Sequence, residues 1–136
     1  KKIGQDLAKN IKKDGPKNKA CLLALAGDLG GGKTTFLQGF AKGLGIEEKL
    51  LSPTFVIMKR FKMPDSGFKD FYHLDCYRAK DAGDVLDLGL LEILLCPGNI
   101  VAVEWGEKIK EILPKSATWI EFKFIDDKKR KITISE

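Results

Sequence analysis

Apolar residues recur every fourth position at Ile3, Leu7 and Ile11, so residues 2–13 are predicted to form an amphipathic helix that the Asp-Gly-Pro at 14–16 ends. The pattern then changes. Residues 20–26, ACLLALA, form an uninterrupted apolar run of strand length, as expected for a strand buried on both faces of a parallel sheet, and Gly27 stops it. From Thr34 the apolar positions Phe36, Leu37, Phe40, Ala41 and Leu44 return to helical spacing, with Gly45 placed as the C-terminal cap. Two β-rich segments follow, at 52–61 and 68–78, and the turn composition KMPDSG between them predicts an antiparallel hairpin. Residues 84–95, DVLDLGLLEILL, are apolar at helical spacing around Gly89, which predicts one interrupted helix or two short ones before the stop at CPGN. IVAVEW, residues 100–105, is a second buried strand ending in a carboxylate, and a short helix over 106–112 precedes Pro114. TWIEFKFI and KRKITIS then flank DDK as a closing hairpin.

These elements, with the G-x-x-x-x-G-K-[ST] pattern of Gly27, Gly32, Lys33 and Thr34 between the first buried strand and the next helix, predict an α/β fold of the P-loop NTPase kind. Its mixed sheet is flanked by helices, with one β-hairpin after the first P-loop helix and another at the C-terminus. No internal repeat, low-complexity tract or shift in composition marks a linker, so residues 1–136 are read as one domain.

The chemistry is concentrated between the first buried strand and the helix after it. Gly27, Gly32, Lys33 and Thr34 satisfy G-x-x-x-x-G-K-[ST] in the strand-loop-helix context that motif needs. Glycines let successive backbone N–H groups turn toward an anion, and the start of the helix adds partial positive charge. Asp28, Leu29, Gly30, Gly31 and Gly32 therefore form the expected phosphate cradle. Lys33 would reach the β and γ phosphates, Thr34 would offer a hydroxyl to Mg²⁺, and Thr35 would help hold the phosphates. A competing reading is a glycine-rich turn that matches by accident.

Mg²⁺ in such a site usually draws on a carboxylate from the end of a neighbouring strand. Glu104 ends IVAVE, and Asp75 lies in YHLDCYR on the same strand face as Phe71 and His73. Either could instead be an exposed acid at a strand end. His73 is the weaker candidate, because a lone strand histidine is more often packed or solvated than catalytic. LLSPTF, residues 50–55, carries hydroxyls on both sides of a proline and reads either as a loop sensing the γ phosphate or as a strand-entry turn.

Composition removes some alternatives. The balance of 43% hydrophobic and 32% charged residues is that of an ordinary globular protein, and no apolar run is long enough to span a bilayer. With an amphipathic start rather than a signal sequence, the chain is expected to be cytoplasmic, with no membrane association. Cys21, Cys76 and Cys96 are widely spaced and form no CxxC pair, so reduced thiols are expected rather than disulfides or zinc. The net charge of +5 suits an RNA or acidic partner, but the 24 lysines and arginines are scattered along the chain. The basic run at 128–131 reads as a solvated hairpin edge. No Asn-Lys-x-Asp element follows the loop, which favours ATP over GTP. The only arginines are Arg60, Arg78 and Arg130, too few for the phosphate-bridging lid of a small-molecule kinase.

GDLGGGKTTFLQGFAKGLG, SPTF, YHLDCYR and VEW, in this order and spacing, resemble the bacterial TsaE (YjeE) family over roughly residues 3–115. The resemblance implies a small ATPase that uses ATP and Mg²⁺ in making threonylcarbamoyladenosine at position 37 of tRNA. It also implies TsaD and TsaB as partners, with tRNA reached through their complex. On the same ground Lys33 contacts the β and γ phosphates and Thr34 the metal. Asp75 and Glu104 join the Mg²⁺ and water network, Thr54 is the switch hydroxyl, and Trp105 lies near the nucleotide. The alternatives are an ATP-gated binding module of that complex and a small-molecule kinase. Two departures stand out: Gly31 replaces the usual alanine or serine, which should loosen the loop, and the C-terminal hairpin matches only in character. The chain also begins inside a helical pattern without an initiator methionine, so a short N-terminal segment is expected to precede it.

Overall fold

A computed structural model describes residues 2–16, 19–27, 32–46, 58–63, 67–77, 83, 86, 88–126 and 129–135. In chain order the elements are α1 (Lys2–Asp14), β1 (Cys21–Gly27), α2 (Lys33–Gly43), β2 (Met58–Lys62), β3 (Asp70–Asp75), α3 (Leu90–Leu95) and β4 (Asn99–Glu104), followed by a 3-10 helix (Gly106–Ile112), β5 (Thr118–Asp126) and β6 (Lys129–Ser135). One six-stranded sheet runs β2-β3-β4-β1-β5-β6. Its four inner strands are parallel, and the edge strands β2 and β6 join as antiparallel hairpin partners.

The uninterrupted apolar run of β1 has the cause expected of it, since both faces of the strand are covered. Leu23 and Leu25 pack with Ala8 of α1 and with Phe36, Leu37 and Phe40 of α2, whereas Leu22 packs with Leu90 and Leu94 of α3 and Ile109 of the 3-10 helix. Aromatic rings bind α2 to the sheet. Phe36 meets Phe122 of β5 edge-on at 5.4 Å, Phe40 meets Phe71 of β3 at 5.8 Å, and Phe71 stacks on Phe61 of β2 at 5.9 Å. Such pairs add about 0.5–1.5 kcal/mol each beyond the area they bury.

Gly45 caps α2 as its position predicts: with φ at 88°, its N–H bonds the Lys42 carbonyl while the Ile46 N–H bonds the Ala41 carbonyl. Within 84–95 Leu86 is already helical, Gly89 with φ 83° interrupts the run, and α3 begins directly after it. The 106–112 segment is helical but of the tighter 3-10 kind, with Ile109 departing from helical angles. The first half of the 52–61 strand prediction lies outside the described residues. Among the described residues no helix is long and apolar enough to cross a membrane.

The order of the inner strands decides where chemistry can occur. β4 lies between β1 and β3, and the register aligns Asp75 with Glu104 and Glu104 with Leu25. Two acids far apart in sequence thus end adjacent parallel strands beside the strand that feeds α2, where open α/β sheets bind ligands.

Candidate functional site

Gly27, the last residue of β1, has φ 124°, and a methyl group there would lie 2.0 Å from the Phe122 carbonyl oxygen on β5. Only glycine lets the chain leave the sheet at this point. Its N–H donates to Glu107 Oε2 at 3.2 Å, tying the strand end to the 3-10 helix. Gly32, the residue before α2, also adopts left-handed angles, and among the described residues nothing lies within 4 Å of where its side chain would be. The first turn of α2 presents backbone N–H groups there, a form suited to an anion.

Lys33 opens α2 and is only 6% exposed. A buried ammonium needs partners. Its Nζ donates to the Gly27 carbonyl at 2.9 Å and lies 3.5 Å from the centroid of the Trp105 ring. Trp105 follows Glu104 directly and adopts φ 60°, the left-handed region that non-glycine residues rarely enter. That turn takes the chain out of β4. The Tyr77 ring packs 5.2 Å from Trp105, and Lys108 donates its Nζ to the Tyr77 carbonyl.

Glu104 is the acid at the centre of the site. It is 3% exposed, and its two oxygens face different partners. Oε1 accepts from Thr34 Oγ1 at 3.4 Å, and Oε2 is 2.6 Å from Nε2 of the buried His73. Asp75, one strand further out, is partly buried and accepts the Tyr77 N–H on Oδ1 at 2.9 Å. Burial raises its pKa above the usual carboxylate value; the Tyr77 N–H opposes the shift, and the negative Glu104 alongside adds to it.

The raised value has a definite sign for stability. Between the ordinary aspartate pKa, about 3.9, and the raised one, the folded protein holds a proton that the unfolded chain releases. Stability therefore falls as pH rises through that window, and the penalty persists above it. Asp75→Asn keeps an oxygen for the Tyr77 N–H and removes the charge. The nucleotide-free variant should melt above the parent protein at pH 7, and thermal melts should show that advantage vanishing below about pH 4. Equal melting temperatures at pH 7 would contradict it.

Cys76, next in sequence, has its thiol pushed up to about 12, mainly by burial and further by the charge of Asp75. It is a packed thiol rather than a nucleophile.

Of the residues expected from sequence, Lys33, Thr34, Glu104 and Trp105 come together, with Asp75 beside Glu104. Thr35 is exposed on the first turn of α2. Asp28, Leu29, Gly30, Gly31 and Thr54 lie outside the described residues. His73, the weaker candidate in the sequence, is bonded to the central acid. Glu107, Lys108 and Tyr77 had no sequence signal beyond nearness to VEW and to HLD. A cavity of about 900 Å³, lined by Leu7, Ile11, Lys13, Lys19 and Phe68 among others, contains none of these residues and opens at the other end of β1.

Thr34 and Glu104, with Asp75 aligned beside Glu104, could offer hydroxyl and carboxylate oxygens, the hard ligands that Mg²⁺ prefers. Two neighbouring acids, one already resisting ionisation, would also gain from a nearby dication.

The family profile described as "Threonylcarbamoyl adenosine biosynthesis protein TsaE" matches residues 1–132. Among curated relatives, the tRNA threonylcarbamoyladenosine biosynthesis protein TsaE of Bacillus subtilis is 44% identical over 114 residues, covering 84% of this chain and 68% of its own. The protein of the same name from Treponema pallidum is 35% identical over 114 residues, covering 84% of this chain and 81% of its own. Among solved structures, the crystal structure of Bacillus subtilis YdiB superposes with a TM-score of 0.69 at 36% identity, covering 97% of this chain and 77% of its own.

Proposed function

The chain belongs to the TsaE family of threonylcarbamoyladenosine biosynthesis proteins, and from that premise we propose that it is a Mg²⁺-dependent P-loop ATPase that drives tRNA modification. The observation that carries the proposal is the meeting of Thr34, at the head of α2, with the buried Glu104 at the end of β4, beside the buried Lys33. Packing alone gives no reason to bury an ammonium and a carboxylate at this place.

In this reading the glycine loop and the start of α2 hold the phosphates of ATP, and Lys33 exchanges the Gly27 carbonyl for the β and γ phosphate oxygens. Trp105 and Tyr77 flank the nucleotide. Thr34, Glu104 and Asp75 would hold Mg²⁺, which when bound offsets phosphate charge. Glu104 orients the attacking water or takes its proton, and Asp75 supports the metal. Turnover is slow until TsaD and TsaB complete the site, and hydrolysis lets that pair enter successive rounds of modification in the cytoplasm. Contact with tRNA comes through the complex.

The test is phosphate release from ATP and Mg²⁺, measured for the protein alone and with TsaD and TsaB. Release that rises with the partners supports the proposal. ATP binding with no release, even in the complex, would instead favour a module in which nucleotide occupancy controls docking.

A further inference from the structure

The His73 imidazole has no part in the chemistry set out above, yet it is 1% exposed and its Nε2 lies 2.6 Å from Glu104 Oε2. Its other ring nitrogen, Nδ1, is buried and has no hydrogen-bond partner among the described residues. An ionised carboxylate can only accept, so Nε2 carries the proton and donates. The placement follows from the sheet. His73 is aligned with Ala102 on β4, so the ring and the Glu104 side chain two residues further along occupy the same face, beneath α2.

We propose that His73 is a positioning residue for Glu104. It binds Oε2 from below and so turns Oε1 toward Thr34 and the phosphate end of the site. A glutamate at a strand end has several torsions, and without this bond its carboxylate could rotate away from the Thr34 hydroxyl. Among the described residues the imidazole has one hydrogen-bond partner, and that partner is the acid that meets Thr34 at the head of α2. The inference rests on the ATPase reading for its kinetic consequence, but the bond itself is independent of it.

Two measurements separate these levels. His73 is the chain's one histidine, so its imidazole signals in a ¹H–¹⁵N spectrum of the nucleotide-free protein need no assignment by mutation. The expected spectrum shows an Nε2–H proton that exchanges slowly with water; in Glu104→Ala that proton should shift and exchange fast. The absence of a protected Nε2–H, or an Nε2–H indifferent to Glu104→Ala, overturns the proposal whether or not the protein hydrolyses ATP.

The second measurement is kinetic. His73→Leu should lower kcat about 10–100-fold, the usual cost of removing a group that orients a functional ligand, while the affinity for ATP without Mg²⁺ stays within about threefold. His73→Gln, whose amide can donate from a similar place, should recover most of that loss. A His73→Leu protein with parental kcat, or a His73→Gln protein as impaired as it, overturns the positioning role. If His73→Leu does not fold, the Gln variant and the spectrum decide. If the parental protein releases no phosphate, the ATPase reading fails and the spectrum alone tests the bond.

Discussion

Lys33→Ala should weaken ATP binding about 10–100-fold and lower turnover in the partner complex by about 10²–10³, while leaving the fold intact. The binding loss is that of a charge-assisted hydrogen bond, about 1.5–3 kcal/mol. The turnover loss is larger because charge builds on the phosphate oxygens as the bond to the γ phosphate breaks, and a fixed cation there counts most in the transition state. The fold should survive because Lys33 meets the Gly27 carbonyl and the Trp105 ring at the C-terminal ends of the inner strands and belongs to neither apolar cluster. The same contacts provide a signal. The ammonium lies over Trp105, so ATP should change tryptophan emission by drawing Lys33 off the ring, and at ATP concentrations that saturate the parent the alanine variant should show a smaller change. The second tryptophan, Trp119 on β5, has Lys110 for its cation and should be a constant background. Calorimetric titration of ATP, far-UV circular dichroism and phosphate release check the three parts. Unchanged affinity with normal structure would remove Lys33 from the nucleotide site.

What the sequence made legible, and what it did not, follows from the range of the interactions. β1 and its loop could be read because every contribution is local: an apolar run, glycines at fixed offsets, a lysine and threonine at a helix start. Both hairpins could be read for the same reason, from turn residues between alternating segments. The bond between His73 and Glu104 could not, because it joins residues 31 positions apart and depends on β4 entering the sheet between β1 and β3. Periodicity states that a strand is buried but not which strand it lies beside. That one fact of order makes two strand-end acids neighbours, so that the charge of Glu104 adds to the rise that burial gives the pKa of Asp75. The left-handed backbone at Trp105 was equally hidden, since nothing in VEWGE requires a tryptophan at φ 60°. It is the turn of the chain after Glu104 that brings the ring over Lys33.

Glu104→Gln should keep ATP binding within a few-fold and lower phosphate release by about 10²–10³, and the reason lies in how the buried side chain is held. A carboxylate accepts on both oxygens, from His73 on one side and Thr34 on the other. A glutamine has the same shape but one oxygen. If that oxygen keeps the His73 Nε2–H, the amide NH₂ faces Thr34, placing donor hydrogens where Mg²⁺ and an attacking water need an acceptor. The opposite flip would set two donors against each other at His73, in a region without exposed surface, so the first orientation wins. The variant should therefore be at least as stable as the parent, because it removes a buried charge without leaving an orphaned partner. Glu104→Ala should differ. It strands the His73 Nε2–H and opens a void, and should cost about 1–3 kcal/mol of stability in addition to the lost turnover. Comparing the two variants separates the charge of Glu104 from its place in the packing: melting temperatures should distinguish them while phosphate release does not. A glutamine variant that hydrolyses ATP at the parental rate would exclude Glu104 from the chemistry and leave Asp75 as the acid to test next.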